Sequence, residues 1–189
     1  FRLLFAVCAL NVIGILAINS ATNQNMSYVG RQAAGMVLGI AVIALLCFVP
    51  YQKLLRYAVP VFVLCAILLL MVRFFGKSVN GAKRWIVLPA LGQVQPSEFA
   101  KIGVAMFFSW LLGKNYESIN QPRFLLLFAA FAMIPIGLIS SEPDLSTTIV
   151  VAVSIAAMLF AAGISYRWIG LALLVAVPFS VSTVFLLKR

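Results

Sequence analysis

Histidine is absent from the 189-residue sequence, and acidic residues number only four. Without histidine, Ser-His-Asp triads, histidine general acids and most zinc sites are excluded. The three cysteines, Cys8, Cys47 and Cys65, lie in apolar runs and have no C-x-x-C spacing, so we expect packing residues and no disulfide framework. Chemistry in this chain therefore depends on a few carboxylates, lysines and arginines.

Charged residues of either sign are scarce, at 10% of the chain, whereas 64% of residues are hydrophobic. The mean hydropathy is +1.12, which is typical of a polytopic membrane protein and not of a soluble domain. We attribute the net charge of +10 to loops that orient helices and meet anionic lipid, and we expect no nucleic-acid partner. Because the sequence starts at Phe1 and stops at Arg189 beside an apolar run, we expect part of a longer protein.

Seven apolar runs approach the roughly 20 residues that a helix needs to cross a bilayer. They predict an all-α polytopic membrane fold, with residues 1–189 as a single transmembrane helical domain. A Gly35-x-x-x-Gly39 motif predicts close helix packing, more readily within the chain than in a dimer. The predicted spans are Leu3–Ile18, Ala33–Val49, Ala58–Val72, Pro96–Leu112, Phe124–Ser140, Leu145–Ala162 and Trp168–Leu187.

The start of the fourth span carries opposite charges. Pro96 suits the first position of a helix, and Glu98 in the first turn complements the positive end of the helix dipole. Lys101 follows Glu98 at i+3, so the two charged groups share one helix face. We expect an ion pair near one membrane surface, open to an aqueous pocket.

The start of the sixth span repeats this construction in the sequence Ser141-Glu142-Pro143-Asp144. Even-numbered spans enter from the same side, so both charged helix starts should face one compartment. The long segment Arg73–Gln95, which contains the sequence NGAKRW, joins spans three and four and emerges on that side too. The counts of Lys and Arg in the loops do not decide which side is cytoplasmic, because this basic segment offsets the others.

Together these residues predict a polar site at one membrane face. Helix N-termini and basic side chains favour phosphate, and clustered carboxylates favour a divalent cation such as Mg²⁺. A metal–pyrophosphate ligand would satisfy both groups, with Trp85 either anchoring at the membrane interface or packing on a sugar or lipid. The alternative interpretation is a structural Glu98–Lys101 pair with acids that only cap helices. The cations are Lys83, Arg84 and Lys101, and the carboxylates are Glu98, Glu142 and Asp144.

Three motifs in order, NGAKRWI, QPSEFAK and EPDLSTT, resemble the SEDS family, which includes the RodA and FtsW proteins of bacterial elongation and division. FAAGISYRWIG is also similar to the family. The resemblance leaves open whether the chain is RodA-type or FtsW-type. It implies a ten-span peptidoglycan glycosyltransferase in the bacterial cytoplasmic membrane, polymerising lipid II at the external face. It further implies a class B penicillin-binding protein as partner and Mg²⁺ or Mn²⁺ as cofactor.

The residues of the polar site receive hypothetical roles in this reaction from their own chemistry. We expect catalytic roles for Glu98, Lys101 and Arg84, and either structure or cation binding for Glu142 and Asp144. The principal catalytic aspartate of the family belongs to an external loop after span seven, which together with the last three spans lies beyond Arg189. A flippase for the lipid-linked precursor and a scaffold for the transpeptidase are the competing functions. The substrate-binding candidates are Asn80, Lys83, Arg84, Trp85, Gln95 and Ser97.

Overall fold

The computed structural model describes residues 2–21, 26–79, 82–88, 92–142 and 144–170. They form a largely helical chain with a short 3₁₀ turn at Tyr116–Ser118. Residues 166–170 are also helical. In chain order the main elements are α1 (Arg2–Ala21), α2 (Met26–Cys47), α3 (Tyr51–Arg56), α4 (Ala58–Phe75), β1 (Lys77–Val79), β2 (Ala82–Leu88), β3 (Gly92–Val94), α5 (Pro96–Lys114), α6 (Pro122–Ser140) and α7 (Leu145–Ala161).

The first six predicted spans are helices, and the seventh, Trp168–Leu187, lies mostly outside the described residues. The largest difference between a predicted and an observed boundary is at α2, which begins at Met26, before its apolar run. Its first turns are helical although they contain polar residues. By length and composition, α2 and α6 could cross a membrane among the described helices, and α1, α4 and α7 contain shorter apolar stretches. The structure therefore supports helices that could span a membrane, whereas a total of seven spans stays a prediction.

The chain divides into two compact units, Phe1–Lys53 and Leu54–Arg189. In the first unit α1 packs along α2. The Gly35-x-x-x-Gly39 motif does not mediate this packing, because a Cβ at either glycine would meet no described atom within 4 Å. The predicted close contact at this motif is therefore not found among the residues that the structure describes.

The second unit adds a small sheet to the helical fold that the sequence predicted. Its Arg73–Gln95 segment contains a three-stranded antiparallel sheet in the order β1-β2-β3. The register pairs Lys77 with Trp85 and Ser78 with Lys83, with an irregularity between them, and Ile86 with Val94. The sheet packs on α4 and α5, so it holds β2 beside the start of α5.

The helices of the second unit pack most extensively between α4 and α5. A Cβ at Gly103 would lie 2.7 Å from Sγ of Cys65, so the missing side chain allows this close approach. Phe62 and Phe107 stack with ring centroids 4.1 Å apart, and Phe108 meets Phe128 of α6 edge to face at 4.8 Å. This aromatic core fixes α4, α5 and α6, and α7 adds the buried Val151 and Ile155.

Candidate functional site

The beginning of α5 has the geometry expected from the sequence. Gln95 is extended, Pro96 occupies the first turn, and Glu98 follows within that turn. Nζ of Lys101 contacts both carboxylate oxygens of Glu98, at 2.9 Å from Oε1 and 2.8 Å from Oε2. Both side chains are partly exposed, at 35% for Lys101 and 56% for Glu98. The predicted i,i+3 ion pair is therefore present and accessible.

A small cavity lies beside Lys101, between α5 and α7. Its volume is about 80 Å³, and Val104, Val151, Ser154 and Met158 contribute to its walls. Lys101 borders this space, and its amine is held by Glu98.

Asp144 caps α7 from the position before its first turn, not from within the first turn as predicted. Its Oδ1 accepts the backbone N–H of Thr147 at 3.1 Å, and its Oδ2 accepts the Thr147 hydroxyl at 2.9 Å. The Thr148 hydroxyl donates to the Asp144 carbonyl at 2.7 Å. The alternative interpretation of Asp144 as a helix cap is therefore correct in geometry, because its Oδ1 accepts the Thr147 N–H, which has no acceptor within the helix.

Arg84 and Gln95 connect Asp144 to the sheet and to α5. Nη1 of Arg84 lies 3.6 Å from Oδ2 of Asp144, and Nε2 of Gln95 donates to the same oxygen at 3.3 Å. Nε of Arg84 also donates to the carbonyl of Glu142 at 3.2 Å. The N-termini of α5 and α7 therefore meet at the same end of the unit, as the alternation of spans predicted. Lys101 is six residues beyond Gln95, about 9 Å further along the helix.

Glu142 is enclosed, with 2% of its surface exposed. Neither carboxylate oxygen has a hydrogen-bond partner within the described part of the chain. Burial is the main cause that raises the pKa of Glu142 from 4.5 to about 7, the negative charge of Asp144 raises it further, and Arg84 lowers it. At neutral pH this side chain is therefore a mixture of acid and carboxylate.

The remaining substrate-binding candidates are placed unevenly. Trp85 is half-buried on β2, next to Arg84. Ser97 is fully buried at the start of α5, and its hydroxyl has no partner among the described residues. Asn80 and the side chain of Lys83 lie outside the described residues. The structure thus brings together Arg84, Gln95, Glu142 and Asp144, with Ser97 enclosed near them in the α5 first turn.

Asp144 offers little free oxygen for a divalent cation. Asp144 already accepts bonds from Thr147 and Gln95, and Arg84 lies beside it with a positive charge that repels a cation. A bound cation needs several free oxygen ligands. Among the described residues, no group of three or more Cys, Asp or Glu side chains could hold a metal. Asp144 is therefore unsuited to a cation, whereas cation binding by Glu142 stays a prediction.

Sequence reasoning missed several residues that organise these ends. Thr147 follows Asp144 at i+3, which is a capping spacing that the sequence does contain. At the opposite end of α7, Asn120 in the α5–α6 loop accepts the N–H of Ser165 at 2.7 Å and donates to the carbonyl of Gly163 at 3.3 Å. Nε1 of Trp168 donates to the Asn120 carbonyl at 3.1 Å. No local signal announces that junction, because its partners are distant in sequence.

Comparison with known proteins identifies curated relatives. Peptidoglycan glycosyltransferase MrdB of Escherichia coli strain K12 is 31% identical over 179 residues, covering 94% of this chain and 47% of MrdB. A probable peptidoglycan glycosyltransferase FtsW of Trichlorobacter lovleyi is 33% identical over 195 residues, covering 95% of this chain and 50% of that protein. The chain therefore spans about half the length of these relatives.

Solved structures share the same fold. A chain from a study of how a peptidoglycan synthase complex coordinates polymerization and crosslinking matches with a TM-score of 0.86 and 27% identity, over 100% of this chain and 55% of that one. Rod shape determining protein RodA of Thermus thermophilus matches with a TM-score of 0.77 and 28% identity, over 94% of this chain and 58% of RodA. The family model of FtsW/RodA/SpoVE cell cycle proteins matches residues 1–189. The chain belongs to this family, which confirms the SEDS membership predicted from its three motifs.

Proposed function

We propose that the full-length protein containing this chain is a peptidoglycan glycosyltransferase that polymerises lipid II into glycan strands for cell elongation or division. The names of MrdB and FtsW relatives support this reaction. The observation that carries the proposal for this chain is the meeting of Arg84 with the N-termini of α5 and α7 at one end of the unit, with Lys101 following in the second turn of α5. Such an arrangement favours a pyrophosphate group.

In the proposed reaction an acceptor sugar hydroxyl attacks the anomeric carbon of a lipid-linked donor. The new C–O bond forms as the bond from that carbon to the pyrophosphate oxygen breaks, and the hydroxyl proton passes to a base. The departing undecaprenyl pyrophosphate gains negative charge, which nearby cations stabilise in the transition state. Arg84 and Lys101 are our candidates for that stabilisation, because both are charged, partly exposed groups at this end.

The other candidates support these two cations. Glu98 orients Lys101 through its two short contacts. Asp144 orients Arg84 and ties it to α7, while Gln95 bridges α5 to the same carboxylate. We assign the general base to none of these three side chains, because Glu98 and Asp144 are engaged by cations and Gln95 does not titrate. Asn80, Lys83 and Trp85 remain candidates for contacts with the sugar or lipid.

A divalent cation enters this proposal with the pyrophosphate of the substrate. Mg²⁺ or Mn²⁺ bound to the leaving group would reduce its charge before it meets Arg84 and Lys101. We further propose a multi-pass protein of the bacterial cytoplasmic membrane, with about seven of ten spans in this chain and the Arg84 end at the external face. A class B penicillin-binding protein is the proposed partner, in keeping with the synthase complex that shares the fold.

A flippase for the same lipid-linked precursor is the competing proposal. A path for its polar headgroup needs polar side chains near the membrane midplane. The groove of about 550 Å³ between α4, α5 and α6 has apolar walls, formed by residues such as Phe62, Ile67 and Phe131. Charged groups instead gather at the Arg84 end, which favours the glycosyltransferase.

The test uses the full-length protein with its partner transpeptidase and purified lipid II. Wild type is compared with Glu98→Gln and Lys101→Ala variants that express and insert normally. Lys114→Ala is the matched control, because Lys114 is an exposed lysine at the other end of α5. We expect glycan polymer from wild type and control and little from the two variants. A correctly folded wild-type complex that makes no polymer would favour the flippase. Polymer from every variant would instead assign a structural role to the Glu98–Lys101 pair.

A further inference from the structure

Glu142 occupies an unusual place for an acidic residue. Its carboxyl group is enclosed in the α6–α7 turn and bonded to no described group, while its own backbone carbonyl accepts Nε of Arg84. A fully charged carboxylate in such a place costs several kcal/mol of solvation free energy, and in proteins such a group usually takes up a proton instead. The geometry therefore favours the neutral acid.

The charged groups around Glu142 lead to the same conclusion. Arg84 of β2 is the cation beside it, and that guanidinium already faces Asp144 at the start of α7. On α5 the ionisable pair is Glu98 with Lys101, which neutralise each other. On α4 the last turn contributes Arg73, which is exposed. A second carboxylate at position 142 would thus compete with Asp144 for one guanidinium.

We propose that Glu142 works as a neutral, proton-bearing side chain that leaves the positive charge of Arg84 available, while its backbone carbonyl positions Arg84, and not as a ligand for a divalent cation. This inference rests on the proposed function, since the role of Arg84 is defined there. With Glu142 protonated, position 142 adds no negative charge beside Arg84, which keeps its attraction for a phosphate group. When Glu142 loses its proton, the added charge weakens that attraction and disfavours the buried turn that holds Arg84.

The first measurement is polymer formation by the full-length complex as a function of pH, for wild type and Glu142→Gln. Glutamine has the shape of the protonated acid and cannot ionise. One pH unit above the pKa of Glu142, only about a tenth of the molecules keep the proton on this side chain. The activity of wild type at pH 8 should therefore be roughly a tenth of its activity at pH 6. The glutamine variant should lose this alkaline fall. Glu117→Gln, which removes an exposed acid near the other end of α5, should show the wild-type profile.

The second measurement is the Mg²⁺ or Mn²⁺ concentration that gives half-maximal activity at pH 6. We expect the same value for wild type and Glu142→Gln, because glutamine would replace a proton-bearing acid but would weaken a cation ligand. If Glu142→Gln needed about tenfold more cation for half-maximal activity, the inference would be overturned. It would also be overturned if the activity of the glutamine variant fell at alkaline pH as that of wild type does.

A third readout does not depend on activity. The infrared band of a protonated carboxyl group, recorded near neutral pH, should be present in wild type and missing in Glu142→Gln. Its presence without polymer formation would support the protonated Glu142 while rejecting the proposed function. Its absence from an active wild-type protein would reject the inference and leave the glycosyltransferase in place.

Discussion

Nη1 of Arg84 lies 3.6 Å from Oδ2 of Asp144 and thereby joins the small sheet to the N-cap of α7. Asp144 is only 5% exposed in its side chain, and it also caps the helix through Thr147. One carboxylate therefore has two tasks, an electrostatic one toward Arg84 and a hydrogen-bonding one toward the helix. These tasks can be separated by substitution.

Asp144→Asn should keep the cap and lose the ion pair, because asparagine is as good an N-cap as aspartate. Asp144→Ala should lose both and lower the free energy of unfolding by a further ~1 kcal/mol, within the usual range for a lost cap. Thermal unfolding in detergent checks the stability, and polymer formation by the complex checks the site. We expect Asn to be the more stable variant and both to be poorly active. Equal stability of the two would contradict the capping role.

Exchanging the charges in Glu98→Lys/Lys101→Glu should change stability by less than about 1 kcal/mol, since exposed ion pairs contribute little. Polymer formation should nevertheless stay low, because the cation moves by one helical turn away from its working position. The single Lys101→Glu variant is the control for simple loss of the cation. Recovery of activity in the double variant would show that only the pairing matters.

Gly103→Ala should destabilise the α4–α5 interface by roughly 1–3 kcal/mol, as overpacking does. The added Cβ would lie 2.7 Å from Sγ of Cys65. Combining it with Cys65→Ala removes the obstructing sulfur, so the double variant should be more stable than the sum of the two single changes predicts. A double-mutant cycle of thermal unfolding measures this coupling. Strict additivity would mean that α4 and α5 can move apart at no cost.

The free energy of unfolding should depend on pH through the titration of Glu142. Its pKa is raised from 4.5 to about 7 in the folded protein, so the stabilisation from proton binding is fully present below pH 4.5 and is lost as the pH rises through 7. Glu142→Gln removes this loss and should be the more stable protein at pH 8, by up to about 3 kcal/mol. Unfolding curves at pH 6 and pH 8 check this, and a glutamine variant with the wild-type pH dependence would contradict it.

Asn120→Ala should weaken the junction at the far end of α7, because it removes the acceptor of Ser165 N–H and the donor to Gly163. A loss of about 1–2 kcal/mol is expected for two such bonds. Asn120→Asp should keep the acceptor and lose only the donor, so its loss should be smaller. Hydrogen exchange at the Ser165 amide gives a direct local measure. Unchanged exchange in Asn120→Ala would contradict the role of this side chain.

The sequence predicted best what depends on neighbouring residues. The helix start at Pro96 and the Glu98–Lys101 pair follow from spacings of a few residues, and both are present. Apolar runs located the helices for the same reason, although α2 starts before its apolar run does.

Long-range features were less accessible. The strand AKRWIVL of β2 contains adjacent charges and pairs with short strands. Its sequence shows little alternation of polar and apolar residues, so the sheet was not predicted. The sequence predicted only that Gln95 and Asp144 lie on the same side. It did not predict their hydrogen bond, because pairing of particular atoms depends on the packing of α5 against α7. The contact of Gly103 with Cys65 had no local signal either.

The anchoring of α7 at both of its ends has a mechanical consequence. Asp144 holds one end to β2 and α5, and Asn120 holds the loop that follows the other end. The helix between them has 17 residues, a length of about 25 Å. A displacement of the Asn120 loop along the helix axis would therefore be transmitted through α7 to Asp144, and with it to Arg84.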